Sequence, residues 1–283
     1  MAAELASRSR LHLPHGAAPP SLWRVMRERT PALLWVALAM ALLSLPLLWA
    51  GLFDARQFNG AGVWVKPWKF MVSSAIHLAS LAFFAALLRP TDVPRRGLRW
   101  LSAVAVLTAI FEVAYIGWRA ARGEASHFNL ASPFAAAMYS LMGVAAVMLS
   151  GCSAVLGVWV ARARSFPLGR AMQHGAAIGL VLSFALGTSL GGYLAAQSGH
   201  WVGGSASDAG GLPVVLWSRD GGDLRVAHFF GLHAMQLVPL AAWALSRVLR
   251  PAAALASTWA FAAAYSALTL FTFVQALGGR PFL

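Results

Sequence analysis

The stretch PALLWVALAMALLSLPLLWAGLF, residues 31–53, contains no charged side chain. A helix needs about 20 predominantly apolar residues to cross the hydrocarbon core of a bilayer, so this stretch is long enough to span it. Six similar stretches follow along the chain. The seven predicted spans cover residues 31–53, 70–88, 100–118, 133–161, 171–195, 225–246 and 252–277.

Composition leads to the same class. Hydrophobic residues make up 59% of the 283 residues and charged residues only 11%, whereas soluble domains carry about a quarter charged residues. The net charge of +13 comes almost wholly from arginines in short segments between the apolar stretches. That pattern is typical of a multi-pass membrane protein and not of a nucleic-acid groove. We therefore predict an all-α, polytopic membrane protein whose partner is the lipid bilayer, with no nucleic-acid partner.

Basic residues also predict the orientation. Arginines and lysines number 14 on the side that holds the N-terminus and 8 on the opposite side. Cytoplasmic loops carry the excess of Lys and Arg, so we expect the N-terminus inside and the C-terminus outside a bacterial inner membrane. Residues 1–30 then form a basic cytoplasmic tail, and residues 31–283 form the membrane domain. The only cysteine, Cys152, excludes an intrachain disulfide and a Cys-based zinc site.

Three outer segments are richer in polar residues than the short inner loops. They are NGAGVWVKPWKF (59–70), RAARGEASHFN (119–129) and the glycine-rich segment 198–233, which we expect to cover the outer end of the bundle. The third segment leads into GDLRVAHFFGLHAMQ (222–236). Long structured loops are often functional, which places a site in the outer half of the bundle. The three segments resemble a family of uncharacterised bacterial membrane proteins marked by NGxxxWxKPxKF, QAxRGxxSHFN and GDLRxxHFxGLHxxQ. Arg119 departs from the glutamine of that pattern, and the resemblance implies a shared fold and no activity.

Three ionisable residues are expected at comparable depth inside three different spans. At about 1.5 Å per helical residue, His77 lies about 15 Å, Glu112 about 9 Å and His233 about 12 Å below the outer boundary. Two histidines and a carboxylate form a recognised iron-binding set, and two histidines alone suit a b-type haem. Because an ionisable group in the membrane is costly, Glu112 is a candidate for function. The competing interpretation is a structural pair with Arg119, seven residues further along the helix.

The loops and span ends supply further candidates. His228 is a catalytic candidate or a third ligand. His127, Asn129 and His200 could bind a substrate or simply close their loops, and Asp223 is placed to cap the sixth span. Anion-binding candidates are the basic residues Lys66, Lys69, Arg119, Arg122 and Arg225.

Four functions fit these residues. The first is a metal or haem site, with haem b, iron, copper or zinc held by His77, His233 and Glu112. The second is a metal-free membrane enzyme that uses Glu112 and a histidine for acid–base chemistry on a hydrophobic or small-molecule substrate. The third is a proton-coupled transporter, and the fourth is a membrane sensor or interaction protein. The sequence favours the first.

Overall fold

The computed structural model describes residues 21–283. Eight α-helices account for most of this range, and seven of them are long and apolar enough to cross a membrane. The prediction of an all-α protein with seven helices of spanning length is confirmed. The helices are α1 (Leu22–Arg29), α2 (Pro31–Phe53), α3 (Val65–Leu87), α4 (Arg95–Ala121), α5 (Pro133–Arg162), α6 (Gly169–Ala195), α7 (Leu224–Val248) and α8 (Pro251–Leu277).

Two helices begin earlier than the apolar pattern predicts. Helix α3 starts at Val65, five residues before the predicted span, because Pro67 lies in the first turn, where its missing N–H costs no intrahelical bond. Helix α4 starts at Arg95, again five residues early, and continues to Ala121. As a result Lys66, Lys69 and Arg119 lie on helices and not in loops.

A row of glycines lets α6 approach α7 closely. A Cβ added to Gly179 would lie 2.6 Å from the carbonyl oxygen of Ala234, and one added to Gly191 would lie 2.7 Å from the ring of His228. Gly175 and Gly187 on the same face meet α7 in the same way. Small residues permit such backbone approach between membrane helices, and these glycines make it here.

We call the end of the bundle that the charge pattern predicts to lie outside the outer end, and the opposite end the inner end. At the outer end, one short hairpin joins α2 to α3, and a long loop closed by a second pair of strands joins α6 to α7. Strand β1 (Gln57–Phe58) pairs with β2 (Ala61–Gly62), and β3 (Trp201–Val202) pairs with β4 (Gly222–Asp223), both antiparallel. The segment between β3 and β4 reaches across to the first hairpin, where the Asp208 N–H donates to the Asn59 carbonyl at 2.8 Å. This loop therefore lies over the outer end of the bundle.

At the inner end, the short helix α1 packs beside the end of α3. The guanidinium of Arg29 donates a hydrogen bond to the carbonyl of Leu88, and Leu22 and Met26 pack against the core. The last part of the predicted basic tail is thus helical and docked on the membrane domain. Residues 1–20 of that tail lie outside the described residues.

Candidate functional site

Glu112 lies on α4 inside the bundle and is only 6% exposed. Its Oε1 atom has no hydrogen-bond partner among the described residues. Arg119, the partner expected from helical spacing, turns away: its guanidinium lies 2.7 Å from Glu124 and donates to the Ala125 carbonyl at 3.1 Å. The predicted Glu112–Arg119 pair is therefore wrong, because Glu124 and the Ala125 carbonyl in the following loop engage the arginine.

Lys66 is the cation near Glu112. The two side chains are close enough for their charges to interact. The charges of Arg225, Lys69 and Asp208 also act on the Lys66 ammonium group. Its ammonium group lies 5.9 Å from the centre of the Phe70 ring, one turn further along α3. The outer end of α3 thus brings a partly buried ammonium group toward the carboxyl group on α4.

Two histidines face the same region. The ring of His127 packs against Phe70 and Tyr139, with centroids 5.5 and 5.9 Å away, and its Nδ1 lies 3.1 Å from the Ser126 hydroxyl. Burial holds the pKa of His127 well below its ordinary value, and the charges of Lys66 and His228 lower that pKa further. His127 is therefore neutral at pH 7.

The tautomer of His228 follows from its contact. Its Nδ1 lies 3.1 Å from the Gly187 carbonyl, which can only accept a hydrogen bond. Nδ1 must therefore carry the proton, and in the neutral ring Nε2 remains as the acceptor. The glycine stripe makes this contact possible, since Gly191 leaves room for the ring.

An ion-pair network closes the site at the outer boundary. Asp223 caps α7 by accepting from the Arg225 backbone N–H at 3.0 Å, as the sequence predicted. The guanidinium of Arg225 pairs with Asp223 at 2.6 Å and with Asp208 at 2.8 Å. Burial alone would raise the pKa of Asp223, but the hydrogen bonds and charge of Arg225, together with the nearby His200 ring, outweigh it and hold that pKa well below its ordinary value.

His200 sits between the two aspartates of this network. Its Nδ1 is 3.5 Å from Asp223 and its Nε2 is 3.7 Å from Asp208, while its ring stacks on Trp201 at 3.8 Å. Burial lowers the pKa of His200 in spite of the two carboxylates, which act in the opposite direction. Substrate binding and loop closure both stay predicted roles of His200.

The segment 212–217, which we call the strap, belongs to the predicted outer loop 198–233 but makes contacts that the sequence did not predict. The carbonyl of Val215 accepts from the Lys69 ammonium at 3.1 Å, and the carbonyl of Leu216 accepts from Arg225 at 2.6 Å. Val214 and Leu216 adopt φ of 69° and 59°, in the left-handed region that non-glycine residues rarely occupy. Backbone strain of this kind clusters at functional sites. The strap contributes only backbone carbonyls to these contacts, so its residue types do not predict them.

A deeper polar layer lies below these groups. The Nε2 atom of His77 is 3.2 Å from the Ser153 hydroxyl, and the Gln236 amide donates to the Ser80 hydroxyl at 3.0 Å. His233 packs its ring on Phe229 at 4.1 Å and lies close enough to His77 for their charges to interact. The sequence predicts neighbouring polar groups on the second, third and sixth spans, which are α3, α4 and α7. The Gln236–Ser80 bond brings together polar groups of α7 and α3, and Lys66 and Glu112 bring together those of α3 and α4.

The metal prediction finds no support in this geometry. Within residues 21–283 no three His, Cys, Asp or Glu side chains come close enough together to hold a metal ion. His77 is hydrogen-bonded to a serine, and His228 to a carbonyl, as described above. Binding of haem or a transition metal by His77, His233 and Glu112 stays a prediction of the sequence.

The remaining predicted residues line a separate groove at the outer end of α4. Arg122 lies 3.3 Å from Glu124, and Asn129 closes its loop by bonding the Ala125 carbonyl and the Ala131 N–H. The groove has a volume of about 880 Å³ and includes Phe58, Arg122 and Asn129 in its lining. The predicted site therefore divides into a buried cluster around Glu112 and an open groove beside Arg122.

Comparison with known proteins gives no relative from which a role could be transferred. No family model, no curated protein and no solved structure matches this chain. The class that the structure supports is a seven-helix membrane bundle with a polar cluster toward one end. Membership of the uncharacterised bacterial family stays a prediction from the three sequence segments.

Proposed function

We propose that this protein is a membrane enzyme that exchanges a proton with a lipid-soluble substrate in the outer half of the helix bundle. Glu112 is the proton-exchanging group. One observation carries the proposal: a carboxyl group that is 6% exposed keeps one oxygen without a hydrogen-bond partner among the described residues, while the nearest predicted arginine is engaged elsewhere. Such a group is costly in a membrane and is retained for chemistry by default.

The surrounding side chains suit general acid–base chemistry. Lys66 stabilises the ionised form of Glu112 by its charge. His127 is neutral, and His228 presents an unprotonated Nε2 when its Nδ1 donates to Gly187. A carboxyl group, an ammonium group and two neutral imidazoles at one end of the bundle are the residue types that general acid–base catalysis uses.

The distribution of ionisable residues favours chemistry on one side of the membrane over a proton path across it. Helix α3 carries none between His77 and its inner end, and α7 carries none between His233 and Arg247. On α4 the interval between Arg99 and Glu112 is likewise free of them. A proton-coupled transporter would need a relay through this inner half.

Charge asymmetry supports the location of the site. The excess of basic residues on the N-terminal side favours a cytoplasmic location for that side. On our proposal the cluster then faces outward from a bacterial inner membrane. A hydrophobic substrate would reach Glu112 from the outer leaflet.

A carbodiimide tests the chemical state of Glu112. Dicyclohexylcarbodiimide partitions into membranes and reacts with protonated carboxyl groups in apolar surroundings. We expect an adduct at Glu112 in the native protein and none in Glu112→Gln. The adduct should form faster in Lys66→Met, because removal of the cation favours the protonated carboxyl group. Glu124, held between two arginines, is the internal control and should stay unlabelled.

Substrate conversion tests the function itself. Membrane lipids and other lipid-soluble molecules would be profiled by mass spectrometry from cells that overproduce the native protein, Glu112→Gln or the matched Glu124→Gln. The proposal requires that one species be depleted and another accumulate with the native protein and Glu124→Gln, but not with Glu112→Gln. Identical profiles for all three would overturn it.

A further inference from the structure

The groove at the outer end of α4 is wide enough for one ligand. Its volume of about 880 Å³ lies in the range of small-molecule sites, which is about 300–1,000 Å³. Helix α4 and the loop after it form one side, the start of α5 forms the other, and Phe58 of the first hairpin closes one end. The groove is thus assembled from three separate parts of the chain.

One half of the groove is apolar and open to the lipid. Trp118 at the end of α4 and Phe134 at the start of α5 meet edge to face with centroids 6.1 Å apart. They are 46% and 55% exposed, although both belong to helices of spanning length. Aromatic residues at helix ends lie at the boundary between hydrocarbon and headgroups, so this half of the groove faces acyl chains.

The other half carries a cation that is paired with the described residues through only one of its three nitrogens. Glu124 is balanced by the largely buried Arg119, whose guanidinium lies 2.7 Å away. Arg122 reaches Glu124 only through its Nε, at 3.3 Å, and its side chain is 57% exposed. Both terminal nitrogens of Arg122 therefore lack hydrogen-bond partners among the described residues. A guanidinium with two free nitrogens matches the paired oxygens of a phosphate or carboxylate.

We propose that this groove binds an anionic lipid of the outer leaflet, with its phosphate on Arg122 and an acyl chain along Trp118 and Phe134. The guanidinium of Arg122 lies 5.7 Å from the Trp118 ring, which holds the cation directly above the apolar half. The cation and the apolar surface are thus adjacent in the groove, as the headgroup and the acyl chain are in a phospholipid. The groove binds this lipid whether or not Glu112 exchanges protons.

Lipid titration measured by native mass spectrometry tests the site. The purified protein would be titrated with phosphatidylglycerol, with phosphatidylcholine of the same chains, and with glycerol phosphate. We expect phosphatidylglycerol to bind most tightly and Arg122→Gln to weaken it roughly fivefold, the effect of one basic residue at an anionic membrane surface. The matched control is Arg219→Gln, because Arg219 is also exposed on an outer loop but lies outside the groove.

Three outcomes would overturn the proposal. Equal weakening by Arg122→Gln and Arg219→Gln would mean that the lipid responds to charge in general. Equal affinity for phosphatidylcholine and phosphatidylglycerol would show that the net negative charge of the lipid does not contribute to binding. Glycerol phosphate binding as tightly as phosphatidylglycerol would show that the acyl chain does not contribute. We expect Phe134→Ala to weaken phosphatidylglycerol binding, and an unchanged affinity in that variant would lead to the same conclusion.

Discussion

Besides its ion pair with Arg225, Asp223 makes two backbone contacts. Replacing it with asparagine weakens the ion pair and distinguishes the two backbone contacts. One carboxylate oxygen caps α7 through the Arg225 N–H, and the other accepts from the Ser218 N–H at 3.0 Å. Both Asp223 and Ser218 are buried. An asparagine side chain can keep the cap through its oxygen, but its amide nitrogen would then face the Ser218 N–H, and two donors cannot pair.

The expected cost follows from that lost contact. A hydrogen bond to a charged acceptor contributes about 2 kcal/mol, which is roughly thirtyfold in the equilibrium between the closed and open outer loop. Proteolysis within residues 203–221 reports this equilibrium, because cleavage follows the open population when reclosing is fast. We expect Asp223→Asn to be cleaved there roughly thirty times faster than the native protein.

Two further variants make the result decisive. Asp223→Ala should open the loop equally and also lower the stability of α7 by about 1 kcal/mol through loss of the cap, measured by thermal unfolding in detergent. Arg219→Gln changes an exposed side chain of the same loop and should be cleaved at the native rate. If Asp223→Asn were cleaved no faster than Arg219→Gln, the Ser218 contact would not hold the strap over the site.

Other predictions concern the packing, pH dependence, cofactor and orientation. Gly179→Ala should lower stability by about 1–3 kcal/mol because its Cβ would meet the Ala234 carbonyl, whereas Gly192→Ala has open space and should not destabilise the protein, as thermal unfolding can check. Asp208, Asp223 and Arg225 are the charged groups around His200, and burial in the closed loop lowers the pKa of His200. As the pH falls, His200 is therefore protonated in the open loop before it is protonated in the closed loop. Loop cleavage should therefore rise several-fold as the pH falls below the unfolded pKa of about 6.5, and His200→Gln should remove that rise. An absorption spectrum of the purified protein, before and after dithionite, tests the haem prediction: a Soret band would establish haem and assign His77 and His233 as candidate ligands. A reporter fused after Leu283 should be active only outside the cytoplasm, and activity inside would reverse the proposed orientation.

Several features of the site could be anticipated from residue types alone. Glu112 is predictable as a costly group because it lies in an apolar stretch, and Asp223 is predictable as a cap because it directly precedes a span. The glycine stripe on α6 is equally local, since its four residues share one helical face. Each of these predictions depends only on positions within one helix.

The partners of these groups could not be anticipated. Helical spacing predicts Arg119 for Glu112, but the chain reverses after Ala121 and brings Glu124 back to the arginine. The strap contacts use backbone carbonyls of Val215 and Leu216, which have no residue signature. The histidines were expected to converge on a metal ion, yet His77 and His228 are hydrogen-bonded to Ser153 and Gly187 on neighbouring helices.

The sequence by itself determined the number of spanning helices, their approximate limits and the outer concentration of polar residues. These follow from hydrophobic length and local charge, which act along a single segment. Only the tertiary structure decided that Lys66 approaches Glu112 and that Arg122 shares a groove with Trp118. Such contacts depend on how separate helices and returning loops pack, and short-range preferences along the chain do not specify them.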